Sequence, residues 1–161
     1  GTGAKSEWPA VRGVRGEVIR LHAPEVHIQR PVRLMHPRYP LYIAPKPHGV
    51  YVIGATEIES DDNSPASVRS ALELLSAAYS LHSGFAEARI LEINTQLRPA
   101  LNHNLPGIRQ PSARMVQING LYRHGFLISP AMLDVVMELL ASGQSEMASR
   151  FDLRIEHMAT V

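Results

Sequence analysis

Apolar and polar positions alternate first between Arg15 and His22, in RGEVIRLH. Ile19 and Leu21 fall on one side and Arg20 and His22 on the other, the mark of a half-buried strand. A proline-marked stretch follows, from Pro24 to Pro37, carrying Val26, Ile28, Val32 and Leu34. It reads as a loop or an irregular edge strand. Two strand-like runs come next, RYPLYIAPK (38–46) and GVYVIGATE (49–57), separated by Pro47 and His48 with Gly49 as the turn residue. They predict a β-hairpin in which Val50 and Val52 share one face and Tyr51 and Ile53 the other.

The period then changes from two to 3.6. Ser64 is placed to cap a helix with Pro65 in its first position, and Asp61 and Asp62 lie just upstream, where the dipole favours negative charge. From Ala66 to His82, Val68, Leu72, Leu75 and Tyr79 form a stripe, flanked by Ala71, Leu74, Ala78 and Leu81. Ser83-Gly84 is expected to end this helix, Gly84 taking a left-handed conformation. ARILEINTQLRP (88–99) alternates as a long strand stopped by Pro99, and LNHNLPGIRQPS reads as loop. MVQIN (115–119) is a short strand and NGLYRHG a turn-rich connector. Ser129-Pro130 repeats the cap signal for a second helix, with Leu133, Val136, Met137 and Leu140 on one stripe and Gly143 closing it.

The order of elements predicts an α+β fold with a mostly antiparallel sheet and two main helices. No internal repeat, low-complexity tract or linker divides it. Residues 1–10 read as a tail or added residues, 11–143 as the domain proper, and 144–161 as a mixed segment holding a short helix and an extended tail.

With 161 residues, the chain is long enough to bury about two-thirds of its surface around one core, or at most two small ones. Apolar residues at 45% and charged residues at 19% exclude a disordered chain and a coiled coil. No apolar run approaches the ~18 residues of a membrane span, and no export signal is visible. Sixteen basic residues face fifteen acidic ones, which offers little for nucleic acid or an anionic membrane. The basic set is skewed to fourteen arginines against Lys5 and Lys46, and arginine suits two-pronged recognition of carboxylates. The absence of cysteine removes disulfides, thiolate metal sites and cysteine nucleophiles.

The eight histidines are scattered, so no metal site is expected, and Asp61-Asp62 reads as a solvated turn. P-loop, G-x-G-x-x-G, G-x-S-x-G and H-E-x-x-H motifs are missing. Two features carry candidate chemistry. Arg98 ends an apolar strand beside a polar loop, where a guanidinium can clamp a carboxylate or else pair with Glu57 or Glu92. The turn Asn119 to Ser129 leads into a helix, where free N–H groups can meet an electron-rich group or simply make a connection. Tyr42 and Tyr51, on paired strands, can offer hydroxyls to a pocket or pack with a wet tip.

Taken in order, VRGEVIRL (14–21, in part), YPLYIAPK (39–46), VYVIGATE (50–57), TQLRPAL (95–101), NLPGI (104–108) and NGLYRHGFLISP (119–130) resemble the C-terminal half of glycine oxidases of the thiazole-biosynthesis type. These belong to the FAD-dependent amino-acid oxidases with a D-amino-acid-oxidase fold, and the likeness covers roughly residues 11–143. It implies a substrate domain whose antiparallel sheet roofs a flavin, with a returning helix that contacts FAD. Arg98 would match the arginine that pairs with the substrate carboxylate, Tyr42 a tyrosine of the pocket, and Arg123 a second pocket arginine. Gly120, Tyr122, Arg123, His124, Gly125 and Phe126 would run along the isoalloxazine, and the helix beginning at Pro130 would aim its positive end at the pyrimidine edge. No acid–base residue of the chain is required.

The resemblance further implies oxidation of glycine or another small amino acid or amine to an imine with release of H₂O₂, in thiamine biosynthesis and in the cytoplasm. Gln96 replaces a small residue of the family and Glu57 an apolar one, which leaves the substrate open. The family's dinucleotide-binding half has no counterpart here, so the expectation is a fragment, inactive alone and holding FAD weakly or not at all. The faces that normally cover the flavin would be exposed and drive homo-oligomer formation. The competing expectation is a stand-alone module, without redox chemistry, that binds carboxylates or a protein partner.

Overall fold

A computed structural model describes residues 2–35, 40–112 and 114–157. Two compact units form, Arg15–Leu97 and a second made of Gly1–Val14 with Arg98–Val161. The divisions fall inside strands, and no linker marks them in the sequence.

In the first unit the alternating runs become β1 (Arg12–His22), β3 (Leu41–Lys46), β4 (Val50–Gly54) and β5 (Arg89–Ala100). The irregular stretch supplies β2 (Val32–Leu34) as an edge strand. The sheet order is β2-β3-β4-β1-β5. Register explains its core. Val32 pairs with Ile43, Ile43 with Ile53 and Ile53 with Ile19, one apolar row across four strands. Ile19, Ile43 and Ile53 are buried with Leu74 and Ala78 of α1 (Val68–Leu81). The hairpin forms as expected, with His48 and Gly49 both left-handed in its turn. Arg38 and Tyr39, read as the start of its first strand, lie outside the described residues.

Helix α1 departs from expectation at both ends. Its cap is Ser67, whose side chain accepts the Ser70 N–H, in place of Ser64. The reason is Arg15. Its guanidinium takes the carbonyls of Asp62 and Pro65 at 2.7 and 2.9 Å, so the Pro65 carbonyl is engaged before a helix can use it. Asp62 accepts the N–H and hydroxyl of Ser64, forming a turn upstream of the helix. At the far end Gly84 sits in a 3-10 turn, Ser83–Phe85, where His82 Nδ1 accepts its N–H. The buried face of α1 is Ser70, Leu74 and Ala78, whereas Val68, Leu72 and Tyr79 of the expected stripe are exposed.

The second unit holds β6 (Gly107–Ser112), β7 (Met115–Asn119), α2 (Gly125–Ser142), α3 (Glu146–Arg150) and β8 (Ile155–His157). The sheet order is β7-β6-β8, antiparallel then parallel. Strand β6 corrects the reading of 101–112 as loop. Ile108 is fully buried against α2, and burial outweighs the flanking prolines. Pro111 falls where the β6–β7 register shifts, a position that asks for no ladder bond. The opening segment makes a 3-10 turn, Thr2–Ser6, and then buries Trp8 and Val11 against Leu101.

Helix α2 begins at Gly125, five residues before the expected start, and takes Pro130 inside it. The Ile128 N–H reaches the His124 carbonyl, and Ser129 spends its hydroxyl on the Gly125 carbonyl. Pro130 falls in the second turn, so the Phe126 carbonyl loses its helical partner there. Met132, Val135 and Leu139 are buried, and Leu133, Met137 and Leu140 are exposed, so the packed face is opposite to the one expected. Both stripes are apolar. Against the sequence reading, α2 is long and apolar enough, by length and composition, to cross a membrane. Core helices of larger proteins share that property. Gly143 closes it in a left-handed conformation, as expected.

Candidate functional site

Arg98 occupies the end of β5, half-buried, immediately before Pro99. The proline ring holds the arginine backbone extended, which fixes the direction in which its side chain leaves the strand. Glu92, one of the two carboxylates weighed as a partner for Arg98, is engaged by Arg20 at 2.5 Å.

One bond brings the two candidate arginines onto neighbouring segments. The Tyr122 N–H donates to the Pro99 carbonyl at 3.0 Å, and these two residues adjoin Arg123 and Arg98 respectively. The turn that permits it contains two left-handed residues, Gly120 (φ 72) and Tyr122 (φ 51). A non-glycine residue in this conformation is uncommon and persists where the surroundings enforce it. The Asn119 side chain supports the turn by accepting the Gly120 N–H at 2.9 Å.

What Gly120 makes room for is Leu101. A β-carbon on Gly120 would lie 2.7 Å from Leu101 Cγ, and one on Gly107 would lie 2.5 Å from Leu101 Cδ1 and 3.2 Å from the Trp8 ring. The side chain of Leu101, 6% exposed, therefore wedges between the first residue of β6 and the residue after β7, with Trp8 alongside. The loop that follows is closed by Asn104, whose N–H donates to the Leu101 carbonyl and whose side chain accepts from Arg12. None of Leu101, Trp8 or Gly107 is singled out by the sequence. The available signal is the pair of glycines lying on either side of one leucine.

Beyond Tyr122 the residues turn outward. Arg123 and His124 are exposed, Gly125 is half-buried, and Phe126 is fully exposed at the start of α2. The first turn of that helix has no side-chain cap. An aromatic face beside uncapped N–H groups and a guanidinium suits a flat, partly anionic heterocycle.

Tyr42 belongs to the other unit. It lies on the sheet face away from α1, in a cross-strand row Arg33–Tyr42–Gly54–Val18. A β-carbon on Gly54 would meet the Tyr42 hydroxyl and Val18 Cγ1 at 2.8 Å each, so the ring lies directly across the glycine. Tyr51, the other candidate, points to the core and donates to the Val26 carbonyl, a packing role.

Toward α1, β1 carries a buried ion pair. Arg15, 5% exposed, grips Glu17, 0% exposed, at 2.7 Å, while Thr56 donates its hydroxyl to Glu17 at 3.1 Å. Burial works to raise the Glu17 pKa, but hydrogen bonds from Ser70, Arg15 and Thr56 and the charge of Arg15 prevail, and the carboxyl is held below its ordinary value. Among the described residues no cluster of histidine and carboxylate groups is arranged to hold a metal.

The FAD dependent oxidoreductase family matches residues 1–139. The chain belongs to this family. It is 49% identical over 138 residues to the protein assigned as thiamine biosynthesis oxidoreductase ThiO in Rhizobium etli, covering 86% of the chain and 42% of that relative. Glycine oxidase from Bacillus cereus superposes with a TM-score of 0.70 at 26% identity, over 84% of this chain and 37% of that one. Glycine oxidase from Geobacillus kaustophilus gives a TM-score of 0.74 at 24% identity, over 94% and 40%. This oxidoreductase chain thus spans about two-fifths of the length of the relatives it matches. The stand-alone module without redox chemistry is not favoured by these matches. The α+β fold with mostly antiparallel sheets is shared with the matched part of these glycine oxidases.

Proposed function

We propose that the chain is the substrate-domain portion of an FAD-dependent oxidase that deaminates glycine or a similarly small amino acid or amine. The observation that carries this reading is the Tyr122–Pro99 backbone bond, which lays the strand end bearing Arg98 beside the turn bearing Arg123. Two guanidiniums on adjoining segments suit a carboxylate, which accepts parallel charge-assisted bonds. Arg98 anchors the carboxylate and Arg123 flanks it. Tyr42, seated against Gly54 on its own sheet face, presents a hydroxyl suited to a polar ligand group.

The residues at the start of α2 fit the flavin in part. Arg123, His124, Gly125 and Phe126 present an apolar ring, a cation and uncapped N–H groups outward, whereas Gly120 and Tyr122 are occupied in shaping the turn. FAD, when bound, supplies the acceptor for the hydride of the α-carbon and passes the electrons to O₂, giving imine and H₂O₂. The chain's own residues bind and orient the substrate, and the uncapped helix end favours negative charge. The outward stripe of α2 is apolar because another part of the oxidase covers it. Thiamine thiazole biosynthesis and the cytoplasm are the setting that goes with this reading.

The test is production of H₂O₂ from glycine by the full-length flavoprotein containing this segment, compared with the 161-residue chain. Turnover by the full-length protein and none by the chain are expected. A purified chain with bound flavin absorbance that oxidises glycine by itself would overturn the division of labour.

A further inference from the structure

Leu101 stands three residues beyond Arg98 and its side chain is wholly apolar, yet the turn and the strand end are assembled around it. Its side chain fills the space that Gly107 and Gly120 leave open, at 2.5 and 2.7 Å from the β-carbons those positions lack. Gly107 opens β6 and pairs with Asn119, which closes β7, so both strands of that ladder rest on one leucine at the same end. Trp8 and Val11 close the cluster. From Gly120 the backbone runs two residues to Tyr122, whose N–H bonds the Pro99 carbonyl. A closed circuit results: Pro99, then Leu101, then Gly120 by side-chain contact, then Tyr122, then Pro99 again by hydrogen bond. Arg98 and Arg123 leave this circuit from the two residues that its one hydrogen bond joins.

We infer that Leu101 is the positioning residue that sets the separation of Arg98 and Arg123, and through it the preference for substrates bearing a carboxylate. The inference rests on the oxidase reading for its substrate but not for its geometry. A guanidinium pair is useful only if both members reach the same two oxygens. The rigid part of the circuit is the leucine, because a hydrogen bond at 3.0 Å tolerates sliding whereas a packed side chain does not. Shortening the leucine lets the β6–β7 end settle toward the strand end and moves one arginine relative to the other. The circuit is made of apolar side chains and one backbone bond, so its effect reaches a substrate only through the two guanidiniums and amine recognition is expected to be spared.

The experiment uses the full-length flavoprotein with Leu101→Ala, Leu101→Met and Gly107→Ala. Gly107→Ala displaces Leu101 while keeping it, which guards against a Leu101→Ala protein that does not fold. Each is assayed with glycine and with ethylamine, which lacks the carboxylate, and titrated with acetate by calorimetry. Loss of one charge-assisted bond corresponds to about tenfold. Leu101→Ala and Gly107→Ala should raise the glycine KM and the acetate Kd about tenfold, with kcat and the ethylamine KM unchanged, and Leu101→Met should stay near wild type. Equal effects on glycine and ethylamine, or no effect on acetate, overturn the inference. A wild-type protein that binds acetate but oxidises neither amine sinks the oxidase reading, and the acetate series still decides the role of Leu101.

Discussion

The ring of Tyr42 lies across Gly54 so closely that a single added methyl would stand 2.8 Å from its hydroxyl oxygen and 2.9 Å from Cζ. The two residues face one another on adjacent strands, and Val18 presses on the same glycine from the other side. Gly54 is thus the seat of the tyrosine. The backbone at Gly54 needs no left-handed conformation; the demand is for space alone.

Gly54→Ala should therefore displace the Tyr42 ring without disrupting the sheet. Overpacking of this kind costs about 1–3 kcal/mol. In the full-length protein the glycine KM should rise. Tyr42→Phe, which keeps the ring, should leave thermal stability nearly unchanged. A Gly54→Ala protein with wild-type stability and wild-type KM would show that Tyr42 is not held by this contact.

For Arg98, the expected loss is that of a two-pronged grip. Arg98→Met should lower kcat/KM for glycine by about a hundredfold, the effect of about 3 kcal/mol of charge-assisted bonding. Arg98→Lys should recover only part of it, since a point charge cannot match two oxygens in a plane. Steady-state kinetics with glycine and ethylamine in parallel separate this from a folding defect: ethylamine turnover should be spared. Loss of both to the same degree would remove Arg98 from the substrate site.

Most of the first unit is legible in the sequence because alternation and register agree. Ile19 and Ile53 sit on the faces that their spacing assigns, and the hairpin turns where Gly49 predicts. Helix limits were less legible where a distant group competes for local ones. The carbonyl of Pro65 is captured by Arg15, fifty positions earlier, and the cap moves to Ser67. The face of α2 could not be read from period alone, because Leu133, Met137 and Leu140 are as apolar as Met132, Val135 and Leu139. Arg98, Arg123 and Tyr42 are visible only through ordered motifs. Leu101 carries no chemistry of its own and shows its place only once Gly107 and Gly120 are seen on either side of it.

The two faces of α2 can be told apart by stability. Leu139→Ala removes a buried side chain beside Ile108 and Val135 and should cost about 2–4 kcal/mol. Leu140→Ala, one position on, should change the stability of the isolated chain by less than about 0.5 kcal/mol. Urea denaturation of both variants measures the difference. In the full-length flavoprotein Leu140→Ala should become costly, if that face is covered there. A reversed order in the isolated chain would restore the face read from the sequence.

Association follows from what remains uncovered. Val68, Leu72 and Tyr79 form an exposed stripe on α1 at helical spacing, and Phe126, Leu127 and Leu133 are exposed on α2. We expect the isolated chain to self-associate, with a light-scattering mass that is a multiple of 17.8 kDa. Leu72→Glu with Tyr79→Glu should lower that mass if α1 is the surface used. A mass of one chain at high concentration would remove the expectation.

The buried pair of Arg15 and Glu17 makes stability depend on pH in a defined direction. The folded pKa of Glu17 lies below the unfolded one, so the ionised form contributes stability throughout the range above the ordinary carboxylate pKa of about 4.3. That contribution falls away as the pH drops through the folded value, once both states bind the proton. Thermal denaturation from pH 7 down to pH 3 should show a steep decline at the acid end for the wild type and a shallower one for Glu17→Gln. Glu17→Ala should be worse than either at pH 7, but by less than the about 3–5 kcal/mol of a fully stranded charge, because Arg15 keeps the more exposed Asp62 carboxylate at 3.3 Å. Replacing both partners, Arg15→Met with Glu17→Leu, should cost less than Glu17→Ala alone. The loop from Asp62 to Pro65 should then loosen, since Arg15 also holds its two carbonyls. Faster amide exchange at Ser64 and Ser67 in the double variant, with the β1–β4 ladder still protected, is the pattern that this arrangement demands.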